Sequence, residues 1–145
     1  MSAIIYASMS GNSEFVAEEV QRRIDGSELI HADGLTPERL ATLGRVVAVI
    51  PTWGRGEIPA DAERIAQALE GCGEDALAAL EFALIAPGDR TYPDFCGGGL
   101  RFASLLKAHG ARELQPPLTL DGIPMERHLD DIDAWLAALP QSVEN

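Results

Sequence analysis

Short apolar runs alternate along this chain with longer stretches whose apolar side chains recur every three or four positions. Ile4-Ile5-Tyr6-Ala7 reads as a buried strand. Asn12 to Ile24 predicts a helix with Phe15, Val16, Val20 and Ile24 on one stripe. Glu28 to His31 predicts a second strand, ended by Asp33-Gly34. A short helix follows from Pro37 to Leu43, with proline in its first turn. Arg45 to Ile50 is the clearest strand, β-branched at its centre. Pro59 opens a helix to about Leu69, with Ile65 and Leu69 facing inward. Glu81 to Ala86 is a fourth strand. Gly97-Gly98-Gly99 gives way to a helix from Leu100 to His109, stopped by Gly110. A fifth strand, Glu113 to Leu120, is interrupted by Pro116-Pro117, which places it at a sheet edge. The last helix spans Met125 to Leu139 and buries Leu129, Ile132, Leu136 and Leu139. The polar residues after Gln141 read as a loose tail.

Strands alternating with helices imply an α/β fold with a parallel sheet covered on both faces. The expected architecture is a three-layer, doubly wound, five-stranded sheet in the order 2-1-3-4-5. The 145 residues suit one domain, 1–145, and no linker or repeat divides them. No apolar run approaches membrane-spanning length. The N-terminus runs directly into a strand without a basic n-region, so no signal peptide is expected and the cytoplasm is the default. Asp and Glu outnumber Lys and Arg by 23 to 11, for a net charge of −12. That balance argues against nucleic acid and anionic membranes. It leaves two readings open, steering toward basic partners or an ordinary acidic surface. The two cysteines, Cys72 and Cys96, show no metal or CxxC spacing and read as free thiols in a reducing compartment. His31, His109 and His128 are isolated in sequence and read as structural or solvated.

Three loops carry the candidate chemistry, and each follows a predicted strand. Ser8-Met9-Ser10-Gly11-Asn12-Ser13 enters a helix N-terminus, where unpaired N–H groups and a partial positive charge suit an anion. Three hydroxyls and an amide add neutral donors. No lysine is present, so this is not a triphosphate loop. An ordinary Ser/Asn-capped turn would look the same. In Pro51-Thr52-Trp53-Gly54-Arg55-Gly56-Glu57, Trp53 offers a stacking face beside glycines that accept positive φ. The alternative is a core Trp before a flexible turn. In Gly88-Asp89-Arg90-Thr91-Tyr92-Pro93-Asp94-Phe95-Cys96, Tyr92 offers a second wall; the alternative is a polar turn with a surface tyrosine. Ligands of doubly wound sheets bind at strand carboxyl ends where the strand order reverses. The first, third and fourth strands are neighbours in the expected order, so the loops would meet there.

These residues resemble the flavodoxin family. Ser8-Met9-Ser10-Gly11-Asn12-Ser13 is similar to its [ST]-x-[ST]-G-x-[ST] phosphate loop. Pro51-Thr52-Trp53-Gly54-x-Gly56-Glu57 and Gly88-Asp89-x-x-Tyr92 through Phe95-Cys96 resemble its second and third flavin loops. The resemblance covers essentially the whole chain, including the Asp130-Asp131-Ile132-x-x-Trp135 helix. The fifth strand lacks the long insertion of the longer flavodoxins, so the chain looks short-chain, and the small MioC-type branch shares this size and layout. The resemblance implies non-covalent FMN binding and low-potential electron transfer. It implies that Ser8, Ser10, Gly11, Asn12 and Ser13 bind the phosphate, with Met9 also in the cofactor-binding set, and that Trp53 and Tyr92 sandwich the ring. Gly88 and Asp89 would line its pyrimidine edge. Pro51, Thr52, Gly54, Arg55, Gly56, Arg90, Phe95 and Cys96 complete the expected cofactor-binding set. Gly54 matches the position whose carbonyl accepts a hydrogen bond from the reduced ring. Two residues depart from the family pattern. Pro87 stands where a small or aliphatic residue is usual. Arg90 replaces a small hydroxyl residue, and a cation there would raise the potential of the reduced ring.

The leading expectation is therefore a monomeric carrier that shuttles single electrons between an NAD(P)H-dependent reductase and a redox acceptor enzyme. Both would dock on an acidic face, so exchange rates are expected to fall with salt. Two alternatives stand beside it. One is a small flavin-dependent reductase, although no GxGxxG follows a strand. The other is an interaction module that kept the fold without redox use. No catalytic residue of its own and no metal site are expected.

Overall fold

Every predicted apolar run becomes a strand in the computed structural model, which describes residues 3–7, 11–52, 58–88, 96–122 and 124–140. The elements are β1 (Ala3–Tyr6), α1 (Asn12–Arg23), β2 (Glu28–His31), α2 (Pro37–Ala41), β3 (Arg45–Val49) and α3 (Ala60–Glu70), then β4 (Glu81–Gly88), α4 (Gly97–Ala108), β5 (Arg112–Glu113), β6 (Leu118–Asp121) and α5 (Leu129–Ala137). All pairings are parallel, in the order β2-β1-β3-β4-β5, with β6 also on β4.

Strict alternation along the strands builds two cores. Ala3, Ile5, Val46, Ala48, Phe82, Leu84 and Ala86 face one side, under Ile65 and Leu69 of α3 and Phe102 and Leu106 of α4. Ile4, Val47, Val49 and Ile85 face the other, under Val16, Ala17 and Val20 of α1 and Ile132 of α5. Strands buried on both faces must be apolar throughout, which is why β3 and β4 read as continuous runs rather than alternating ones.

The predicted fifth strand is split. β5 pairs with the start of β4 (Phe82↔Glu113) and β6 with its end (Ile85↔Leu118), leaving Pro116-Pro117 between them. Two prolines in succession cannot donate to a ladder, so the strand leaves the sheet and rejoins it. The Trp135 indole N–H donates to the exposed Pro116 carbonyl at 3.1 Å and the Gln115 amide donates to the Trp135 carbonyl at 2.9 Å, pinning α5 over the break.

Other boundaries also differ from expectation, and α2 ends at Ala41, two residues before the expected Leu43. β4 continues two residues past Ala86, through Pro87 to Gly88. Its ladder with β3 ends at Val49↔Ile85, and Ile50 N–H donates to the Ile85 carbonyl at 3.0 Å. Alternate residues of a strand direct their backbone groups to opposite neighbours. Pro87 therefore turns its missing donor toward β3 where β3 has already ended, while Gly88 turns toward β6 and accepts from Gly122 N–H at 2.9 Å. The last predicted helix begins as a 3-10 turn, Met125–His128, before α5. α4 begins at Gly97, three residues earlier than expected, with the glycine run inside its first turn. No helix among the described residues is long and apolar enough to cross a membrane.

Candidate functional site

β1, β3 and β4 are the three central strands of the sheet, and the three candidate loops leave their carboxyl ends. Ala7 N–H donates to the Val49 carbonyl at 3.1 Å, so β1 and β3 stay paired to the point where both loops depart. The sheet order thus brings together loops that are about 40 residues apart in sequence.

The first loop enters α1 through Gly11, whose φ of 86° lies in the left-handed region. A side chain is disfavoured there on conformational grounds. Space is not the reason, since among the described residues beyond its chain neighbours no atom lies within 4 Å of the place a Cβ would occupy. Gly11 brings no side chain to the cap position, and the Phe15 N–H donates to its carbonyl at 3.0 Å to begin the helical ladder. The first turn of this twelve-residue helix therefore directs backbone N–H groups and the positive end of its dipole toward the loop. Asn12 and the buried Ser13 open the helix.

The second and third loops are fastened to each other. Pro51 is buried, and the Thr52 hydroxyl accepts the Gly98 N–H at 3.1 Å, tying the exit of β3 to the first turn of α4. Gly99, one residue on, sits against the sheet itself. A Cβ at this position would stand 2.7 Å from the Ile50 carbonyl oxygen and 2.9 Å from the Ala86 Cβ. Cys96 caps α4 with φ 60°, left-handed for a residue with a side chain, and the described residues include no other such case outside glycine. Its buried Sγ lies 3.0 Å from the Ala86 carbonyl oxygen. This position therefore offers the site its backbone, while its side chain anchors the end of the third loop in the core.

Of the expected cofactor-binding residues, Gly11, Asn12, Ser13, Pro51, Thr52, Gly88 and Cys96 are all at this edge. Ser8, Met9, Ser10, Trp53, Gly54, Arg55, Gly56, Asp89, Arg90, Tyr92 and Phe95 lie outside the described residues.

Sequence reading missed three features of the edge. The Thr52–Gly98 tie joins residues 46 apart, with no local signal. The close approach of Gly99 had one, the glycine triplet itself, which read only as a break before the helix. The third is a polar cluster. His31, isolated in sequence, has its Nε2 2.8 Å from Asp61 Oδ2, and its ring packs against that of Tyr6. The other two histidines are structural, as expected. His109 Nδ1 is 2.9 Å from the Gly73 carbonyl oxygen and His128 Nε2 is 2.9 Å from that of Gly122, so each of these nitrogens donates. Among the described residues, no three His, Cys, Asp or Glu side chains converge as metal ligands.

Chains of known type share this arrangement. The chain is 28% identical over 139 residues to protein MioC of Escherichia coli O157:H7, covering 93% of this chain and 92% of that one. It is 32% identical over 124 residues to flavodoxin YqcA of Pectobacterium carotovorum, covering 83% and 82%. The solved structure of oxidised flavodoxin 2 from Bacillus cereus superposes with a TM-score of 0.81 at 26% identity, covering 95% of this chain and 97% of that one. The chain also matches sulfite reductase [NADPH] flavoprotein alpha-components, of whose length it spans about a fifth. The family model described as Flavodoxin matches residues 4–135. Flavodoxin is itself a type case of the strand-reversal rule, so the rule is not independent support. What carries the assignment is the match along nearly the whole sequence together with the sheet order: the chain belongs to the flavodoxin family, whose members are FMN-binding electron carriers.

Proposed function

We propose that this chain is a single-domain, cytoplasmic carrier that holds FMN at the carboxyl edge of β1, β3 and β4 and passes electrons one at a time from an NAD(P)H-dependent reductase to an acceptor enzyme. The observation that carries this reading is the departure of all three motif-bearing loops from adjacent strands. The described residues fit such a cofactor. A glycine in left-handed conformation, with no atom of the described residues beyond its chain neighbours within 4 Å of a Cβ position, caps the helix N-terminus that would receive the phosphate. Neutral donors suit a group that brings its own negative charge to a protein of net charge −12.

When bound, FMN supplies reversible one-electron redox chemistry. The residues do the rest. Ser8, Ser10, Asn12 and Ser13, with the N–H groups of the first turn of α1, hold the phosphate. Trp53 and Tyr92 would cover the ring and exclude water. Gly88 and Asp89 would line its pyrimidine edge, and Gly54 would offer it a carbonyl acceptor. Arg90 would add a positive charge to the site. The tie from Thr52 to Gly98 holds the second and third loops at a common spacing. Low-dielectric surroundings strengthen every electrostatic contribution. The acidic surface favours basic partner faces and steers their approach.

An absorption spectrum of the purified protein, followed by stepwise anaerobic reduction, tests the reading. A yellow protein that turns blue before it bleaches supports it. A protein that stays colourless after incubation with FMN refutes it. Rapid NAD(P)H oxidation without any partner reductase would instead make it a reductase.

A further inference from the structure

β4 ends with less support than it begins. Its ladder with β3 stops at Val49↔Ile85, while its pairing with β6 continues through Pro87↔Leu120 to Gly88↔Asp121. Among the described residues, Gly88 therefore has one strand neighbour, and that neighbour is a four-residue strand paired with β4 alone. The last bond between them runs from the Gly122 N–H to the Gly88 carbonyl at 2.9 Å. Gly88 is placed by the end of an edge strand, and it is as firmly held as that end is.

Gly122 turns the chain out of β6 with φ 83°, in the left-handed region. Its carbonyl accepts from Nε2 of His128 at 2.9 Å. His128 is 8% exposed and closes the 3-10 turn Met125–His128. Met125 in that turn and Ile132 in α5 are both buried in the core, so the imidazole is presented from a fixed base. Gly122 is thus held at both ends, by its N–H on Gly88 and by its carbonyl on His128. The path His128–Gly122–Gly88 runs from the core beneath α5 to the carboxyl edge of β4.

We propose that His128 is a positioning residue for the cofactor site and holds Gly88 in place through Gly122. Without its N–H the corner at Gly122 is free to shift, and the end of β6 and Gly88 shift with it. Gly88 must then be ordered when the ring arrives, which weakens binding. The inference rests on the FMN reading, in which Gly88 lines the ring. The molecule contains a matched control. His109 is 9% exposed, and its Nδ1 donates to the Gly73 carbonyl at the same 2.9 Å. It follows the last residue of α4, whose first turn is tied to Thr52 at the carboxyl edge. Twelve helical residues, about 18 Å of rise, set His109 at the opposite edge of the sheet. The two histidines match in burial and in bond, and differ in what the bond holds.

The test is release of FMN from serially diluted holoprotein, read by flavin fluorescence, for the wild type, His128→Phe, His128→Gln and His109→Phe. The visible circular dichroism of the bound flavin is recorded for each. Phe fills the space of the imidazole without a donor, and Gln restores an N–H at similar reach. The expected result for His128→Phe is a Kd raised roughly three- to tenfold, the range of one lost hydrogen bond, with an altered flavin dichroism. His128→Gln should recover both, and His109→Phe should change neither. A purely structural histidine predicts an unchanged Kd and dichroism in His128→Phe, or equal changes in the two Phe variants; either result overturns the proposal, as does a Gln variant no better than Phe. If His128→Phe does not fold, Gly122→Ala decides, because a side chain strains the left-handed corner between the same two bonds, and an unchanged Kd there overturns the proposal. A wild-type protein that never takes up FMN overturns the reading beneath the inference, whereas FMN bound equally by wild type and His128→Phe overturns the inference alone.

Discussion

Replacing Gly99 by alanine adds one methyl group where the structure has no room for it. The new Cβ would stand 2.7 Å from the Ile50 carbonyl oxygen and 2.9 Å from the Ala86 Cβ, against an ordinary contact beginning at 3.4 Å. The first turn of α4 must withdraw by the difference, 3.4 − 2.7, or about 0.7 Å. The nearest obstacle is backbone at the end of β3, so no side-chain rotation relieves it. Overpacking of this kind costs about 1–3 kcal/mol. Alanine returns up to about 1 kcal/mol of helix propensity. The net expectation is a loss of about 1–2 kcal/mol, which for a chain of this size lowers Tm by about 2–8 °C. Gly34→Ala is the matched control, because among the described residues beyond its chain neighbours no atom lies within 4 Å of its Cβ position and its φ is outside the left-handed region; a change of less than about 0.5 kcal/mol is expected there. Withdrawal of α4 also displaces Cys96 and stretches the Thr52–Gly98 bond, so FMN affinity should fall in Gly99→Ala and not in Gly34→Ala. Thermal melts of apoprotein and holoprotein measure both effects. A Gly99→Ala protein that melts and binds FMN as the Gly34→Ala protein does would refute the close approach of α4 to the sheet.

Thr52→Val removes the acceptor of the Gly98 N–H; leaving that donor unpaired should cost about 1–3 kcal/mol and weaken FMN retention, whereas Thr52→Ser should preserve both in the same melts. Tyr6 is held protonated above its ordinary 10.0, chiefly by burial and then by Glu14. A raised folded-state value adds stability that is complete below the unfolded value and disappears as pH climbs through the folded one. Alkaline unfolding of the wild type should therefore steepen above pH 10, and Tyr6→Phe should remove part of that slope in denaturant titrations. Arg90→Ser should lower the potential of the second reduction step in spectroelectrochemical titration, and an unchanged potential would show that the Arg90 charge lies too far from the ring to act.

The sequence by itself determined the order and type of the elements and the identity of the loops. Apolar runs such as Arg45 to Ile50 and Glu81 to Ala86 can satisfy both faces only as central strands of a covered parallel sheet, and β3 and β4 are such strands. Pro116-Pro117 marked the place where the fifth strand leaves the sheet, because a missing N–H is a local, chemical fact. The tertiary structure decided what depends on distance between remote residues. It carried β4 through Pro87, since only the end of β3 shows that no partner awaits that N–H. It turned Gly97-Gly98-Gly99 from an apparent break into a helical turn pressed on the sheet, since only the packing of α4 reveals the missing space. It turned Cys96 inward toward the Ala86 carbonyl and joined His31 to Asp61 across 30 residues. Periodicity and turn chemistry are properties of neighbours along the chain and are written in it. Contacts between the ends of different strands are set by sheet order and helix packing, and these exist only once the whole chain has folded.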